Sequence, residues 1–512
     1  MAKYAQINSA VLLGLNLYPV IVESFVDSRA IQHDIDIVGL GDTVVKESKK
    51  RIKSAIYANK LSIPTGKVII NLAPGDLRKE GTSLDLPMAI SMLGCDETNG
   101  FLPMNDHFFF GELALDGKLR AVRGVVPLLQ GLSKSHPTPK VILPVESEHE
   151  ASLIKECNVY LAENLTEVIS YMKGQCVLRS PNGGANETVI GFDVDFSEVH
   201  GQYMAKRALE IAAAGGHHLF MKGPPGSGKT MLAQRLPTIL PPLSYDAFLE
   251  TLSIYSISGK VYGTHNQRQP PFRAPHHTAS RAALIGGGPN ARPGEVSLAH
   301  NGVLFLDEVP EFPKDALECL RQPLEEGMVQ ISRVRATLTY PARFSLVAAQ
   351  NPCMCGNYGD PKRTCNCSPR DIIRYNLRIS GPLRDRMDIM IEVPRLPYEE
   401  IRTQIQQESS ESIRNRVMQA REIQINRQSE AGFSHQLNAS LSGKTLKSAC
   451  ILDQKGEELL EMAINRFHLT GRGINKILRV ARTIADLNEK KQIEPRHVAE
   501  AIQFREKRWE DR

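Results

Sequence analysis

Eight consecutive residues, Gly223 to Thr230 (GPPGSGKT), have the composition and spacing to hold phosphate. They satisfy the pattern G-x-x-x-x-G-K-[ST]. The glycines Gly223, Gly226 and Gly228, interleaved with Pro224, Pro225 and Ser227, let backbone N–H groups converge on one cavity, and a helix beginning there adds the positive end of its dipole. Lys229 is then expected to hold the β- and γ-phosphates of ATP, and the Thr230 hydroxyl to ligate Mg2+. A second segment, Asn301 to Glu308 (NGVLFLDE), is an apolar run ending in two acids. A buried strand would deliver Asp307 to the same metal and leave Glu308 to polarise the attacking water. A third apolar run, Phe344 to Ala349, ends at Gln350-Asn351. There the Asn351 amide is placed to orient that water. Further on, Cys353-x-Cys355 and Cys365-x-Cys367 bracket the polar, turn-rich GNYGDPKRT. Four thiolates at such spacing suit a structural, tetrahedral Zn2+ with no open position; redox-active or unliganded thiols are the alternative.

These residues need strands and a helix to carry them. His218 to Lys222 reads as the strand before the phosphate loop and Met231 to Leu236 as the helix after it, with Pro237 marking its end or a kink. Residues 192–394 alternate strand and helix and are rich in Gly and Pro. Residues 395–512 are dominated by helical patterns and read as a lid. Residues 1–172 form a separate α/β region. In it Lys67 to Leu72, Phe108 to Leu115 and Lys140 to Leu143 read as strands and Val44 to Asn59 as a helix. The intervening 173–191 contains SPNGGANE, poor in large apolar side chains, and reads as a linker.

The 512 residues are 42% hydrophobic and 23% charged, which excludes a disordered tail, a collagen-like repeat and a small disulfide scaffold. Lys plus Arg number 62 against 57 Asp plus Glu, so any nucleic-acid surface must be local. The apolar stretch Val11 to Val22 is interrupted by Asn16, Tyr18 and Pro19 and is too short to span a bilayer. No signal peptide is read. The nine cysteines are therefore expected in a reducing cytoplasm, with no membrane association.

Phosphate loop, acidic strand and Asn-ended strand, in this order and followed by a helical lid, resemble the AAA+ ATPases. The resemblance makes Asn351 sensor one. It sets Val199 to Gln202 (VHGQ) beside adenine, makes Arg386 of GPLRDRMD the arginine finger that reaches a neighbouring subunit's γ-phosphate, and makes Arg472 of TGRGINKILRVARTIADL the sensor-two arginine of the lid. Arg479 and Arg482 compete for that last role. A guanidinium suits such tasks because it is planar and always charged. The long stretches GQYMAKRALEIAAAGGHHLFMKGPPGSGKTMLAQR, FRAPHHTAS and PGEVSLAHNGVLFLDE resemble more closely the magnesium-chelatase-like proteins of the YifB/ComM family. That resemblance covers nearly the whole chain. It implies a homo-hexameric, ATP-dependent helicase that acts on single-stranded and branched DNA and drives branch migration during natural transformation. The rivals are a motor acting on a porphyrin partner, as in true magnesium chelatases, and an ATP-dependent protease.

The protease reading comes from the N-terminal region. RKEGTSLDLP at Arg78 to Pro87 and GELALDGKLRAVRGV at Gly111 to Val125 resemble the Lon protease domain, with Ser83 at the nucleophile's place. The activating lysine would fall near Val126, where there is none, and a serine without a base stays weakly nucleophilic. Lys79 lies near Ser83 in sequence, but nothing in the sequence makes it the base. A protease-like α/β fold without peptidase activity is expected. For DNA, the segment Ile254 to His300 carries Lys260, Arg268, Arg273, Arg281 and Arg292, the histidines His265, His276, His277 and His300, and a single acid, Glu295. Met328 to Arg343 alternates like a hairpin and carries Arg333 and Arg335. Both segments are candidates for sequence-independent phosphate contact, with Arg273, His276, His277, Arg333 and Arg335 foremost.

Overall fold

A computed structural model describes residues 3–30, 34–182, 191–260, 262, 268–288, 291–332, 337–360, 363–397, 400, 407–430, 432 and 437–505. The chain forms two compact units. One combines Met1–Thr188 with Leu249–Gln267, and the other combines Val189–Phe248 with Arg268–Arg512. The fold class is mixed α/β.

The first unit is built on a seven-stranded sheet in the order Ile35–Val38, Lys67–Ala73, Asn16–Asp27, Lys3–Leu13, His107–Phe109, Lys140–Pro144, Asn158–Ala162. Val11 to Val22 lies within an antiparallel hairpin, Lys3–Leu13 against Asn16–Asp27, which turns at Gly14. The sheet is antiparallel between Asn16–Asp27 and Lys67–Ala73 and parallel at both flanks. Helices Thr43–Ala58 and Asp85–Gly94 pack on it; Met88, Ala89, Ile90 and Met92 of the second are fully buried.

The run Phe108 to Leu115 is not one strand. It divides into His107–Phe109 and Glu112–Leu113, because Gly111 lets the chain close against Leu119 and Leu86, leaving the sheet to pair with Leu119–Arg120. The segment Leu249–Gln267, although it lies within the sequence of the second unit, belongs to the first. Ser253 Oγ donates to Gln130 Oε1 at 2.9 Å and Ser256 Oγ to Glu150 Oε2 at 2.5 Å.

The second unit is built on a five-stranded sheet in the order Phe272–Arg273, Val303–Leu306, Ser345–Gln350, Leu219–Lys222, Ile389–Glu392. Every pairing is parallel, so all five strands point the same way. Parallel strands are covered on both faces, and Val303–Leu306 is buried throughout, as its unbroken apolar sequence requires. Each such side chain contributes roughly 2 kcal/mol by leaving water. The loops leaving the carboxyl ends of these strands therefore gather along one edge, where ligands of such sheets bind.

After residue 407 the described elements are helical: Ser410–Glu430, Gly443–Ala449, Gln454–Phe467, Gly471–Leu487 and Pro495–Gln503. One apolar core runs from Val303 and Val347 of the sheet through Ala208 and Ala212 of helix Tyr203–Gly215 to Val480, Ile484 and Phe504 of the helical region. Helix Ser410–Glu430 is fastened at its start: the Ser410 N–H donates to the Asp195 carboxylate and its Oγ lies 2.7 Å from Thr238 Oγ1. Among the described residues no helix is long and apolar enough to cross a membrane.

Candidate nucleotide site and cysteine centre

The phosphate loop joins strand Leu219–Lys222 to helix Lys229–Ile239, which continues two residues past Pro237. Gly226 and Gly228 adopt left-handed φ values of 74° and 90°, which side chains disfavour. At Gly223 a Cβ would lie 2.1 Å from the Val393 carbonyl oxygen. The ammonium of Lys229, only 7% exposed, donates to the carbonyls of Gly223 (2.8 Å) and Pro224 (3.0 Å) and to Asn351 Oδ1 (3.2 Å). Burial pulls its pKa below the usual lysine value, while Asp307 and Glu308 act in the opposite direction.

Asp307 and Glu308 follow the end of strand Val303–Leu306. Thr230 Oγ1 donates to Asp307 Oδ2 at 2.6 Å, which brings together two hard oxygen donors of the kind a divalent cation takes. Glu308 adopts a left-handed φ of 51°, its N–H donating to Asp307 Oδ1, and its half-exposed carboxylate lies 3.7 Å from His277 Nδ1. Asn351 follows strand Ser345–Gln350, between the two other site strands. The structure thus brings Lys229, Thr230, Asp307, Glu308 and Asn351 to one place.

Val199 is fully buried, and Gln202 starts helix Tyr203–Gly215 with a left-handed φ of 52°. Its Nε2 donates to the carbonyls of Ser227 (3.3 Å) and Pro394 (2.7 Å), tying the phosphate loop to the chain after the last strand. Arg386 lies beside strand Ile389–Glu392. It forms an ion pair with Glu325, and its Nη1 donates to the Pro382 carbonyl at 2.8 Å. Burial, with the neighbouring charges of Arg472 and Arg321, lowers its pKa. Lys476, one turn beyond Arg472, donates to the carbonyls of Asp385 and Met387 and so fastens the residues on both sides of Arg386. Burial brings the Lys476 amine down to about 8.

Arg472 is exposed in the first turn of helix Gly471–Leu487. Its rivals are committed elsewhere: Arg479 donates to the Leu441 carbonyl, and buried Arg482 to Asp486 and the carbonyls of Lys490 and Lys491. Sequence reasoning did not find Glu325 or Lys476. For Lys476 the signal was present, since a residue four positions after Arg472 shares its helix face.

The four cysteines form a compact group. Their Sγ atoms all lie within 4.8 Å of one another, with Cys353–Cys355 at 3.4 Å, Cys353–Cys365 at 3.7 Å and Cys355–Cys365 at 3.6 Å. Zinc bound tetrahedrally at about 2.3 Å from each sulfur would set the sulfurs about 3.8 Å apart, so this donor set fits.

Of the residues considered for DNA, Arg333 and Arg335 lie outside the described residues. The strands leading to them, Met328–Ser332 and Thr337–Pro341, pair antiparallel. Arg273 pairs with Glu295 at 2.6 Å, the one acid of its segment. His276 is exposed, its ring tilted by 33° against that of His277 with centroids 4.1 Å apart, and His277 also neighbours Glu308. In the first unit Val126 is a buried apolar side chain, and the Lys79 ammonium is spent on the carbonyls of Leu72 and Pro74.

Comparison with known proteins agrees along the whole chain. The family described as "Magnesium chelatase, subunit ChlI" matches residues 195–401, "Magnesium chelatase, subunit ChlI C-terminal" matches 407–505, and "Subunit ChlI of Mg-chelatase" matches 22–147. Competence protein ComM of Haemophilus influenzae is 44% identical over 475 residues, 92% of this chain and 91% of that protein. The chain belongs to the YifB/ComM family of magnesium-chelatase-like proteins. The uncharacterized protein YifB of Escherichia coli (strain K12) is 41% identical over 502 residues, 98% of this chain and 96% of that one. The magnesium-chelatase subunit ChlI of Bigelowiella natans is 26% identical over 152 residues, 25% of this chain and 42% of its own. Residues 195–401 are thus an AAA+-type ATPase domain.

Proposed function

We propose that this protein is an ATP-driven DNA motor, working as a homo-hexamer in the cytoplasm, that promotes branch migration of recombination intermediates during natural transformation. The observation that carries the ATPase reading is the convergence of Lys229, the Thr230–Asp307 pair, Glu308 and Asn351 at the carboxyl edge of one parallel sheet. Lys229 binds the β- and γ-phosphates, and Thr230 with Asp307 holds Mg2+, which neutralises charge developing on the phosphates. Glu308 takes a proton from the attacking water, and Asn351, bonded to Lys229, orients that water against the γ-phosphate. Val199 and Gln202 face adenine.

Arg386 and Arg472 act on the γ-phosphate, Arg386 from the neighbouring subunit, so that hydrolysis depends on assembly. In this reading the four cysteines hold a structural zinc. The DNA part rests on resemblance to a competence protein and on the basic segments. His276 and His277 carry strand contact to within reach of Glu308, and Arg273, Arg333 and Arg335 add phosphate contacts. The domain borders follow the same assignment: 1–172, linker 173–191, ATPase core 192–394, with Leu249–Gln267 of that span packed in the first unit, and lid 395–512. The first unit serves as a collar without peptidase activity. A chelatase-type motor is the second reading, favoured by the ChlI matches.

The test is ATP-dependent unwinding of forked and four-way DNA by the purified chain, with Glu308→Gln as control. Unwinding by the parent and none by the control is expected. Equal unwinding by both would assign the activity to a contaminant, and ATP turnover indifferent to DNA would favour the chelatase-type motor.

A further inference from the structure

The cysteine centre does not stand apart from the nucleotide site; it is attached to it at three places. Asn351, two residues before Cys353, accepts a hydrogen bond from Lys229. Gly356, one residue after Cys355, lies against Pro225 of the phosphate loop: a Cβ built on Gly356 would sit 2.5 Å from Pro225 Cδ. Asp360, in the stretch between the two cysteine pairs, forms an ion pair at 3.1 Å with Arg395, beside the Pro394 carbonyl that accepts from Gln202. The loop carrying the cysteines thus touches the phosphate loop's lysine, the ring of the phosphate loop's Pro225 and the chain leaving the last strand. All three contacts lie on the short stretch Asn351 to Asp360, whose largest apolar side chains, Met354 and Tyr358, are exposed. Without a cross-link it has little apolar burial to hold its shape.

We propose that a zinc-class cation held by Cys353, Cys355, Cys365 and Cys367 fixes this loop as one wall of the nucleotide pocket, so that metal occupancy and nucleotide affinity are thermodynamically linked. The proposal rests on the ATP-site and zinc readings above and adds to them a coupling between the two. Linkage is reciprocal: if the metal raises affinity for nucleotide, nucleotide must raise affinity for the metal by the same factor. A structural zinc that merely stabilised a surface loop would show neither effect.

Glycine geometry supplies a variant that separates the coupling from the metal site itself. Gly356 has a φ of 78° and Gly359 a φ of 80°, so an alanine at either position carries the same left-handed strain. At Gly356 the added methyl collides with Pro225; around Gly359 nothing lies within 4 Å. Gly356→Ala should therefore disturb the phosphate loop, and Gly359→Ala should not.

The experiment uses the full chain produced in zinc-supplemented medium, with elemental analysis for metal content, a fluorescent ADP analogue for nucleotide affinity, and a colorimetric chelator competing at equilibrium for metal affinity. One zinc per chain is expected. ADP with Mg2+ should raise zinc affinity by at least about tenfold, and zinc-stripped protein should bind the analogue at least about tenfold more weakly, recovering when zinc is returned. Gly356→Ala should keep its zinc and lose nucleotide affinity, while Gly359→Ala keeps both. Zinc present but held with the same affinity with and without ADP, and stripped protein that binds the analogue normally, would overturn the coupling while leaving the ATP and zinc readings intact. Absence of any tightly held metal would overturn the zinc reading and the proposal together.

Discussion

Glu308→Gln separates the chemistry of the site from its binding. The substitution keeps the side chain's size and removes the carboxylate that accepts the proton of the attacking water. Loss of a positioned general base costs about 10²- to 10⁴-fold in rate. The ground state should hardly notice. The Glu308 carboxylate is half exposed, and the His277 imidazole lies 3.7 Å from it. Even with both groups charged, attraction at that distance in solvent is about 1 kcal/mol, and exposed pairs retain less. The left-handed φ of 51° is no harder for Gln than for Glu, so the backbone cost is unchanged. The expected outcome is a fall of about 10²- to 10⁴-fold in kcat, with nucleotide affinity within about twofold and a melting temperature within about 2 °C of the parent. Phosphate release under saturating ATP gives kcat, titration of a fluorescent nucleotide gives affinity, and calorimetry gives the melting temperature. A kcat reduced less than about fivefold would refute the assignment of Glu308 as base, because no other group would then be missing from the proton transfer.

Further outcomes follow from the same geometry. Gln202→Ala removes the link between the Ser227 and Pro394 carbonyls, and nucleotide affinity should weaken by about five- to tenfold in titration, the worth of a buried hydrogen bond. Asp388 is buried, and burial alone would raise its carboxyl. The partner His217, with His218 and Lys476, outweighs that and holds it far below the ordinary 3.8. The unfolded chain therefore binds the proton first, and stability should fall as acidification passes 3.8 downward. Asp388→Asn should flatten that acid limb in chemical denaturation while losing about 3 kcal/mol at neutral pH, as expected when one partner of a buried charged cluster is removed. Replacing Arg333 and Arg335 together by alanine should lower the slope of log affinity for single-stranded DNA against log salt by about 0.7 for each phosphate left without its arginine, measured by anisotropy. An unchanged slope would remove the hairpin from the DNA surface.

The nucleotide site was legible because its chemistry is local in sequence. GPPGSGKT sets its own left-handed glycines, and VLFLDE is a buried strand that can end only where its acids meet water. What was not legible depends on which distant segments meet. Nothing near Arg386 in sequence announces Glu325, and nothing around Cys355 announces Pro225. His277 read as one more cation in a basic segment, yet the parallel pairing of Phe272–Arg273 with Val303–Leu306 carries it to Glu308. Nor does the sequence around Arg273 announce its pairing with Glu295. Leu249 to Gln267 continued the ATPase pattern in its residue types, while its serines bond to Gln130 and Glu150 of the first unit. Phe108 to Leu115 kept a strand-like composition through a glycine at which the backbone turns away from the sheet.

The central claim is that two copies of the chain build each active site, one giving Lys229 and the other Arg386. Lys229→Ala and Arg386→Ala should each be inactive alone, since each ring of identical copies lacks one half of every site. Mixed in equal amounts and allowed to assemble with ATP and DNA, they should regain turnover, because roughly a quarter of the junctions in a closed ring then pair an intact lysine with an intact arginine. Phosphate release by the mixture well above that of either variant is the predicted result. A mixture no more active than the average of its two components would contradict the account.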